Sequence, residues 1–436
     1  MKKLLLVSTA IAGVALLSSP ASAAVKMDLG GFFRGYGVYA DNNEASGASN
    51  SLYSFEFRRD AELHANGETT LDNGLTVGAH GELKLANGSN STLSDEIYGY
   101  LSGGWGRINL GIEDGAAYLL QVAAPSADSN IDGLRTYIQA LNPRVNNTAP
   151  DAAAISTMTA NSNSFFGLLD YDQGDFAKND RITYLTPKFD GFQAGVSYAP
   201  KQGITSNTGS MALDQNGQAF YNPGGTPTTS ADYQNLWEVS ARYDGEFEGF
   251  GFALGGGYSD SGIESTPSAA QLTDDAGSDT FTDGDYFLDD GIQSYNGGLT
   301  LSSQGFSLGG AYKQTKTSRI TNTDNGGTDN AQSGDITAKT WVIGAGYDNG
   351  PWHAGASYLN TKTELDAIIN GLDSGNIAAT SYEDTKYTVG GGYTFGPGMT
   401  FRGAVAWGTF DNTSASAVAT DDNDFTQGTV GVDVQF

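Results

Sequence analysis

The sequence predicts an all-β fold, a closed antiparallel barrel of sixteen strands that cross a membrane. Three observations lead there. First, short stretches alternate apolar and polar residues, with aromatics at both ends of the apolar face. In 352–358 the apolar positions are Trp352, Ala354, Ala356 and Tyr358, and the pattern recurs at 192–198, 237–243, 250–258, 341–347 and 387–395. Period-2 alternation makes a strand with two unlike faces. Rings at both ends of one face suit the two interfaces of a bilayer. Second, short turns and long polar connections alternate along the chain. Third, a leader-like N-terminus and the absence of cysteine suit an exported protein held together by its sheet.

The leader is expected at 1–23. Lys2 and Lys3 precede an apolar run from Leu4 to Leu17, and Ala21-Ser22-Ala23 offers a small-x-small cleavage site. A membrane anchor is the alternative, but the run is shorter than the ~20 apolar residues a spanning helix needs. The barrel domain is then 24–436. Its strands are expected at 27–40, 52–65, 75–86, 94–102, 105–113, 180–187, 192–199, 234–243, 250–259, 292–302, 305–318, 336–347, 352–363, 382–395, 399–410 and 426–436. Seven short turns, near 66–74, 102–106, 187–191, 244–249, 302–305, 348–351 and 395–398, are rich in Gly, Pro, Asn and Asp, the residues that supply turn geometry. The eight longer connections are about 41–51, 87–93, 114–179, 200–233, 260–290, 319–335, 364–381 and 411–424. In outer-membrane barrels the short turns are periplasmic and the long loops extracellular. An even strand count then leaves both termini on the periplasmic side.

Six residues between aromatics cover only ~20 Å of strand, against an apolar band of ~25 Å. The girdles must therefore recruit further aromatics such as Phe247 and Phe395. A soluble β-helix or sandwich array is the alternative fold. It would bury its apolar faces against each other and has no use for rings at both ends.

The formal net charge is −28, and there is no cysteine. Nucleic acid is excluded as a partner, because phosphate binding needs a basic surface. Cysteine nucleophiles and thiolate metal sites are excluded too. Nine carboxylates and no basic residue fall between Ser259 and Gly291, which reads as a solvated loop. Asp283 with Asp285, or Asp421 with Asp422 and Asp424, offer oxygens of the kind Ca²⁺ takes. None forms an EF-hand loop, a merely solvated loop is the competing reading, and no resident cofactor or metal is expected. The only histidines are His64, His80 and His353. His64 and His80 can approach on adjacent strands, but no metal-ligand spacing accompanies them. No serine-nucleophile elbow is read in the chain, and an enzyme is not expected.

The last strand places Gly428, Val430, Val432, Val434 and Phe436 on one face. It resembles the terminal strand of outer-membrane proteins, whose final aromatic is read by the barrel-assembly machinery. Two further patches are Met27-Asp28-Leu29-Gly30-Gly31-Phe32-Phe33-Arg34-Gly35-Tyr36-Gly37 and Gly104-Trp105-Gly106-Arg107-Ile108-Asn109-Leu110-Gly111. With these, the chain resembles the Gram-negative general porins of the alphaproteobacterial type. The resemblance implies a homotrimer in the outer membrane, among lipids and lipopolysaccharide. It also implies a third loop folded into the barrel and a charged constriction. The enterobacterial third-loop motif Pro-Glu-Phe-Phe-Gly is absent, so no constriction residue is carried over by motif.

Alternation supplies the candidates instead. Phe32, Arg34 and Tyr36 are expected to face the lumen from the first strand, and Glu56, Arg58, Asp60, Glu62 and His64 from the second. His80, Glu82 and Lys84 follow on the third, and Arg107, Asn109 and Glu113 on the fifth. A charge on the lipid face costs about 2–4 kcal/mol at the midplane, which is why these belong inside. Arg181, Arg242 and Arg402 join from later strands, whereas alternation sends Arg59 outward with no account of why. The longest connection, 114–179, is the third extracellular loop, and long loops are commonly functional. Its start, Asp114-Gly115-Ala116-Ala117-Tyr118-Leu119-Leu120, is apolar enough to pack against an inner wall. A short helix over the barrel mouth is the alternative.

The expected constriction sets Arg34, Arg58 and Arg107 on the wall against Glu113, Asp114, Asp128 and Asp132 at the loop, with Glu82 and Lys84 nearby. Such a field across the pore tunes selectivity. The competing reading is that these charges only solvate a wet lumen. A water-filled channel for passive diffusion of ions and small hydrophilic solutes is expected, with a weak preference for cations. A solute-specific gated channel and a structural or adhesive barrel are the alternatives.

Overall fold

The chain closes on itself because each strand finds its neighbour through a short turn, and the last strand finds the first. The structure, a computed structural model, describes residues 25–42, 54–85, 94–132, 178–201, 233–263, 286–288, 291–324, 329–365, 379–414 and 423–436. The expected leader at 1–23, the greater part of the 114–179 connection and residues 264–285 of the acidic stretch lie outside the described residues, as do Asp283, Asp285, Asp421 and Asp422.

The strands are β1 (Lys26–Asn42), β2 (Phe55–Thr70), β3 (Thr76–Lys84), β4 (Ser94–Gly103), β5 (Gly106–Glu113), β6 (Asn179–Leu185), β7 (Phe192–Lys201), β8 (Tyr233–Phe247), β9 (Phe250–Ile263), β10 (Tyr286–Leu288), β11 (Gln293–Ser303), β12 (Phe306–Asp324), β13 (Asp329–Asn349), β14 (Trp352–Leu365), β15 (Ala379–Gly396), β16 (Met399–Ser414) and β17 (Asn423–Gln435). All ladders are antiparallel between neighbours, and β1 pairs with both β2 and β17. β10 and β11 pair with successive stretches of β12, so they form one stave, and the barrel has the sixteen staves expected. Beyond β17, the backbone of Phe436 exchanges hydrogen bonds with Gly31 at 2.9 and 3.1 Å.

Six of the seven short turns fall where the sequence places them, and the seventh is confined to 71–75. Asp190-Gly191, Glu248-Gly249 and Gln304-Gly305 each carry two consecutive positive-φ residues. That is the turn whose twist matches a two-residue hairpin. Gly396-Pro397-Gly398-Met399 uses proline's fixed φ followed by a glycine at φ 83.

Several strands run further than expected at their loop ends. The β12–β13 ladder continues to Asp324↔Asp329, so most of the expected long connection 319–335 is strand. Alternation did not mark this extension, because beyond the apolar band no lipid rewards an apolar face and only the backbone ladder persists. In β2 the strand continues to Thr70 through residues assigned to a turn.

The outward faces carry Phe57, Leu110, Leu254, Leu308, Ile343 and Val405, all exposed. Rings pair along two girdles. One runs through Trp341, Tyr358, Tyr387 and Trp407, with centroids 4.8, 4.7 and 5.7 Å apart. The other includes Phe306 with Tyr347 at 4.4 Å and Trp352 with Tyr393 at 4.6 Å. Phe247 and Phe395 are exposed and extend the second girdle, as the height argument required. Trp237 and Phe247, ten residues apart, span ~33 Å of strand and ~25 Å of height at a tilt of ~40°.

Candidate functional site: the inner wall and the segment inside it

The wall is lowest where β3, β4, β5 and β6 are only 9, 10, 8 and 7 residues long. From the end of β5 the chain turns into the barrel. Residues 114–132 then follow the inner wall, through α1 (Ala116–Leu119) and α2 (Ser129–Asp132). Backbone inside a barrel must find partners, and the wall supplies them. Ser240 and Arg242 on β8 donate to the carbonyls of Ala116 and Gln121. Thr300 on β11 donates to Ala123 at 2.7 Å, and Lys386 on β15 to Ile131 at 3.2 Å. His353 Nε2 on β14 lies 2.8 Å from the Ser126 carbonyl, which only accepts, so that nitrogen carries a hydrogen.

Packing agrees. Ala116, Ala117, Leu120, Val122, Ala124, Ala127 and Ile131 are buried. Wall glycines make room: a Cβ on Gly344 or Gly355 would run into the carbonyls of Pro125 and Ser126. The apolar character of the loop's first residues therefore reflects a surface pressed against the inner wall.

The predicted residues divide among several networks. Arg34 lies 3.1 Å from Asp60 and 3.9 Å from Asp433. Arg58 pairs with Glu56 at 2.6 Å, its side chain 45% exposed. Arg107 donates to Asn109 at 2.6 Å and lies 3.9 Å over the Tyr100 ring. These three arginines form no single cluster. Asn109 donates onward to Glu113, and Asp114 accepts from the Lys178 amide at 3.4 Å. Lys84 pairs with Asp95.

Asp128 and Asp132 do not look across an opening; they are 0% and 2% exposed. Tyr36 donates to Asp128 at 2.7 Å, and Arg402 lies 3.4 Å from it. Asp132 pairs with Lys386 at 3.2 Å and accepts from Ser357. Where the segment enters, Arg181 and Glu238 form a buried pair, with Ser197 bonded to the same carboxylate. Lys386 escaped sequence reasoning, because only the loop's path reveals its partner.

A second cluster sits on β2, β3 and β4. A bulge sets one residue of β3, Glu82, opposite two of β4, Asp95 and Glu96. Bulges re-aim side chains, and here Asp95 and Glu96 both reach luminal partners. Asp95 meets Lys84 and Lys178, and Glu96 lies 3.5 Å from Lys178. Burial opposes the charge on Lys178, yet Asp114, Glu96 and Asp95 outweigh it and raise the ammonium above its ordinary pKa. Beside them His64 Nε2 lies 3.1 Å from Glu62 and 3.7 Å from Glu82, and His80 Nε2 lies 3.0 Å from Glu82. Neither Glu96 nor Lys178 was a sequence candidate. The bulge hides the first, and the second stands at the far end of the long connection.

His353 has both nitrogens engaged, Nδ1 at 2.8 Å from Asp348 and Nε2 on Ser126. Contrary to the sequence reading, Gly305-Phe306-Ser307-Leu308-Gly309 does spell Gly-x-Ser-x-Gly. It occupies a hairpin turn and the start of β12, with Ser307 opposite Gly346 in the ladder. A nucleophile elbow needs a strand-to-helix turn, so this serine is not one.

A closed barrel with an apolar outer band, and a polar interior threaded by its own chain, defines an outer-membrane β-barrel of the channel-forming class. The Gram-negative porin family matches residues 8–413, and the chain belongs to that family. It is a multi-pass outer-membrane porin channel. Among solved structures it is similar to a loop L8 deletion mutant of OmpT, an outer membrane protein of Vibrio cholerae. That match has 11% identity and a TM-score of 0.53, over 95% of this chain and 100% of that one. The anion-selective porin of Comamonas acidovorans matches at 17% identity and TM-score 0.52, over 95% and 100%. Salmonella typhi OmpF in complex with daunomycin matches at 18% and 0.50, over 94% and 98%. These likenesses are of fold. No curated protein matches the chain.

Proposed function

We propose that the protein is a water-filled channel for passive diffusion of ions and small hydrophilic solutes, and not an enzyme. Its filter of size is the place where 114–132 lies inside the barrel, and its filter of charge is the polar wall beside it. The observation carrying this reading is the segment itself, bonded to side chains of β8, β11, β14 and β15. A chain held against the wall occupies part of the bore while leaving the rest to water. A sixteen-stranded barrel leaves an aqueous channel.

Arg34, Arg58 and Arg107 are the basic side of the charge filter in this reading, with Glu82 the acidic side and Lys84 between, while Glu113 and Asp114, each 3% exposed, act from behind the surface. Asp128 and Asp132 hold the segment in place. Acids exceed bases in the whole chain, so the preference is weakly for cations. The expected result in planar bilayers is a reversal potential of cation sign in a salt gradient, strengthened in Arg34→Ala, Arg58→Ala and Arg107→Ala. Unchanged conductance and selectivity in all three would sink the charge filter. Liposome swelling with small sugars tests passage itself. Saturable, competitive uptake would favour the solute-specific channel, and no flux would favour an adhesive or structural barrel.

The same reading makes the assembly a homotrimer, seen as conductance closing in three steps. OmpT of Vibrio cholerae, in a form described as a trimer, has this fold at TM-score 0.51 and 11% identity. We place the chain with the alphaproteobacterial general porins on its 27–37, 104–111 and 432–436 patches. Phe436, exposed beside the seam, is the residue the barrel-assembly machinery reads. Ca²⁺ held between the acidic loops and lipopolysaccharide phosphates remains a minor part of the proposal; of its acids among the described residues, Asp424 is exposed.

A further inference from the structure

We propose that the luminal wall of β2, β3 and β4 is a binding site for one borderline divalent transition-metal ion of zinc's class. Glu82 is the central ligand, flanked by His80 with Glu96 on one side and His64 with Glu62 on the other. The ligand atoms of Glu62, His64 and Glu82 all lie within 4.8 Å of one another, and so do those of His80, Glu82 and Glu96. Ligands ~2.0–2.2 Å from a tetrahedral metal lie ~3.3–3.5 Å from each other. The separations here are 3.0, 3.1 and 3.7 Å. Small rotations of these partly buried side chains, with His64 the most open at 28% exposure, bring them together.

The donor set discriminates. Imidazole with carboxylate suits zinc, copper and nickel, whereas calcium takes six to eight oxygens. The protonation pattern is already arranged at His80. Its Nδ1 lies 2.6 Å from Asn66 Oδ1, an oxygen that only accepts. A hydrogen therefore sits on Nδ1, and Nε2 faces the Glu82 carboxylate at 3.0 Å, where a second hydrogen or a metal ion must bridge the two acceptors. Such an outer partner fixes the tautomer of metal-binding histidines. His64 is held by an edge-to-face contact with Phe32 at 5.8 Å and stands 6.0 Å from the His80 ring. Lys178, 3.8 Å from Glu82 and 3.5 Å from Glu96, already puts a cation at this spot.

The test is titration calorimetry of the folded, detergent-solubilised full chain with zinc chloride and with calcium chloride. The expected result is one zinc ion per chain and calcium binding at least tenfold weaker. His64→Asn with His80→Asn, and Glu82→Gln alone, each weaken zinc at least tenfold. A change below twofold in both variants, or calcium binding as tight as zinc, would overturn the site. Should a variant fail to fold, the unaltered protein still decides. Zinc should protect His64 and His80 from carbethoxylation, and equal labelling with and without zinc rejects the proposal.

Discussion

At the residue scale, the inner wall is governed by buried charges that exist in pairs. Arg181 and Glu238 are each 1% exposed and face each other. Removing one partner of such a pair leaves an uncompensated charge and costs about 3–5 kcal/mol, whereas an apolar pair of similar volume is often neutral. Glu238→Ala should therefore lower the urea midpoint of unfolding, followed by tryptophan fluorescence, and Arg181→Met with Glu238→Leu should nearly restore it. A double variant as weak as the single would show that the ionic pair itself is needed. Alternation assigns Arg34, Glu82 and Arg107 to the luminal side, because lipid forbids the other choice. It said nothing of whom they meet there. Tyr36 and Asp128 are separated by 92 positions, and the pore-facing charge expected of Asp128 is instead a buried anchor. Local pattern carries facing; partners across the bore belong to the tertiary path.

At the scale of the element, turns and bulges decide what the strands present. Gly249, at φ 82 in a two-residue hairpin, occupies backbone that costs an L-residue about 1–2 kcal/mol. Gly249→Ala should lower the unfolding midpoint by that order, and Gly249→Asn, which tolerates this conformation, should lower it less. Gly355 has a different duty, since its missing Cβ is the space Ser126 fills. Gly355→Val should push the segment into the bore and lower single-channel conductance, while circular dichroism keeps its β-sheet signature. Equal conductance would mean the segment does not limit flow. The β2–β3 hairpin was more legible than sequence reasoning allowed. Once Thr70 faces Thr76, His64 must fall opposite Glu82 and His80 opposite Asn66. The β3–β4 bulge was not legible, because nothing in the alternation of 94–103 marks two successive inward acids.

For the whole molecule, charge and closure dominate. A net charge of −28 predicts a cation preference that depends on salt. The screening length falls from ~10 Å at 0.1 M to ~3 Å at 1 M. The reversal potential for a fixed tenfold gradient should therefore shrink as both sides are made more concentrated. Constant selectivity would place the filter in close contacts at the constriction and not in the general field. The sixteen-stave plan was readable because the bilayer imposes one period on every crossing, and the alternation of turns with long connections repeats it. The strand ends beyond the bilayer were not, since no apolar requirement reaches them.

The segment 114–132 also sets an order of events. It leaves β5, yet its partners are Ser240, Thr300, His353, Lys386 and Arg402, which come later in the chain, and Tyr36, which comes before it. Such non-local contacts carry a large loop-closure cost and form slowly. Arg402 and Tyr36 both bind Asp128 from staves on either side of the β1–β17 seam. That joint grip exists only after the seam has shut. Docking of the segment is therefore a late step of assembly, and a barrel whose seam is open is also a barrel whose interior strap hangs loose.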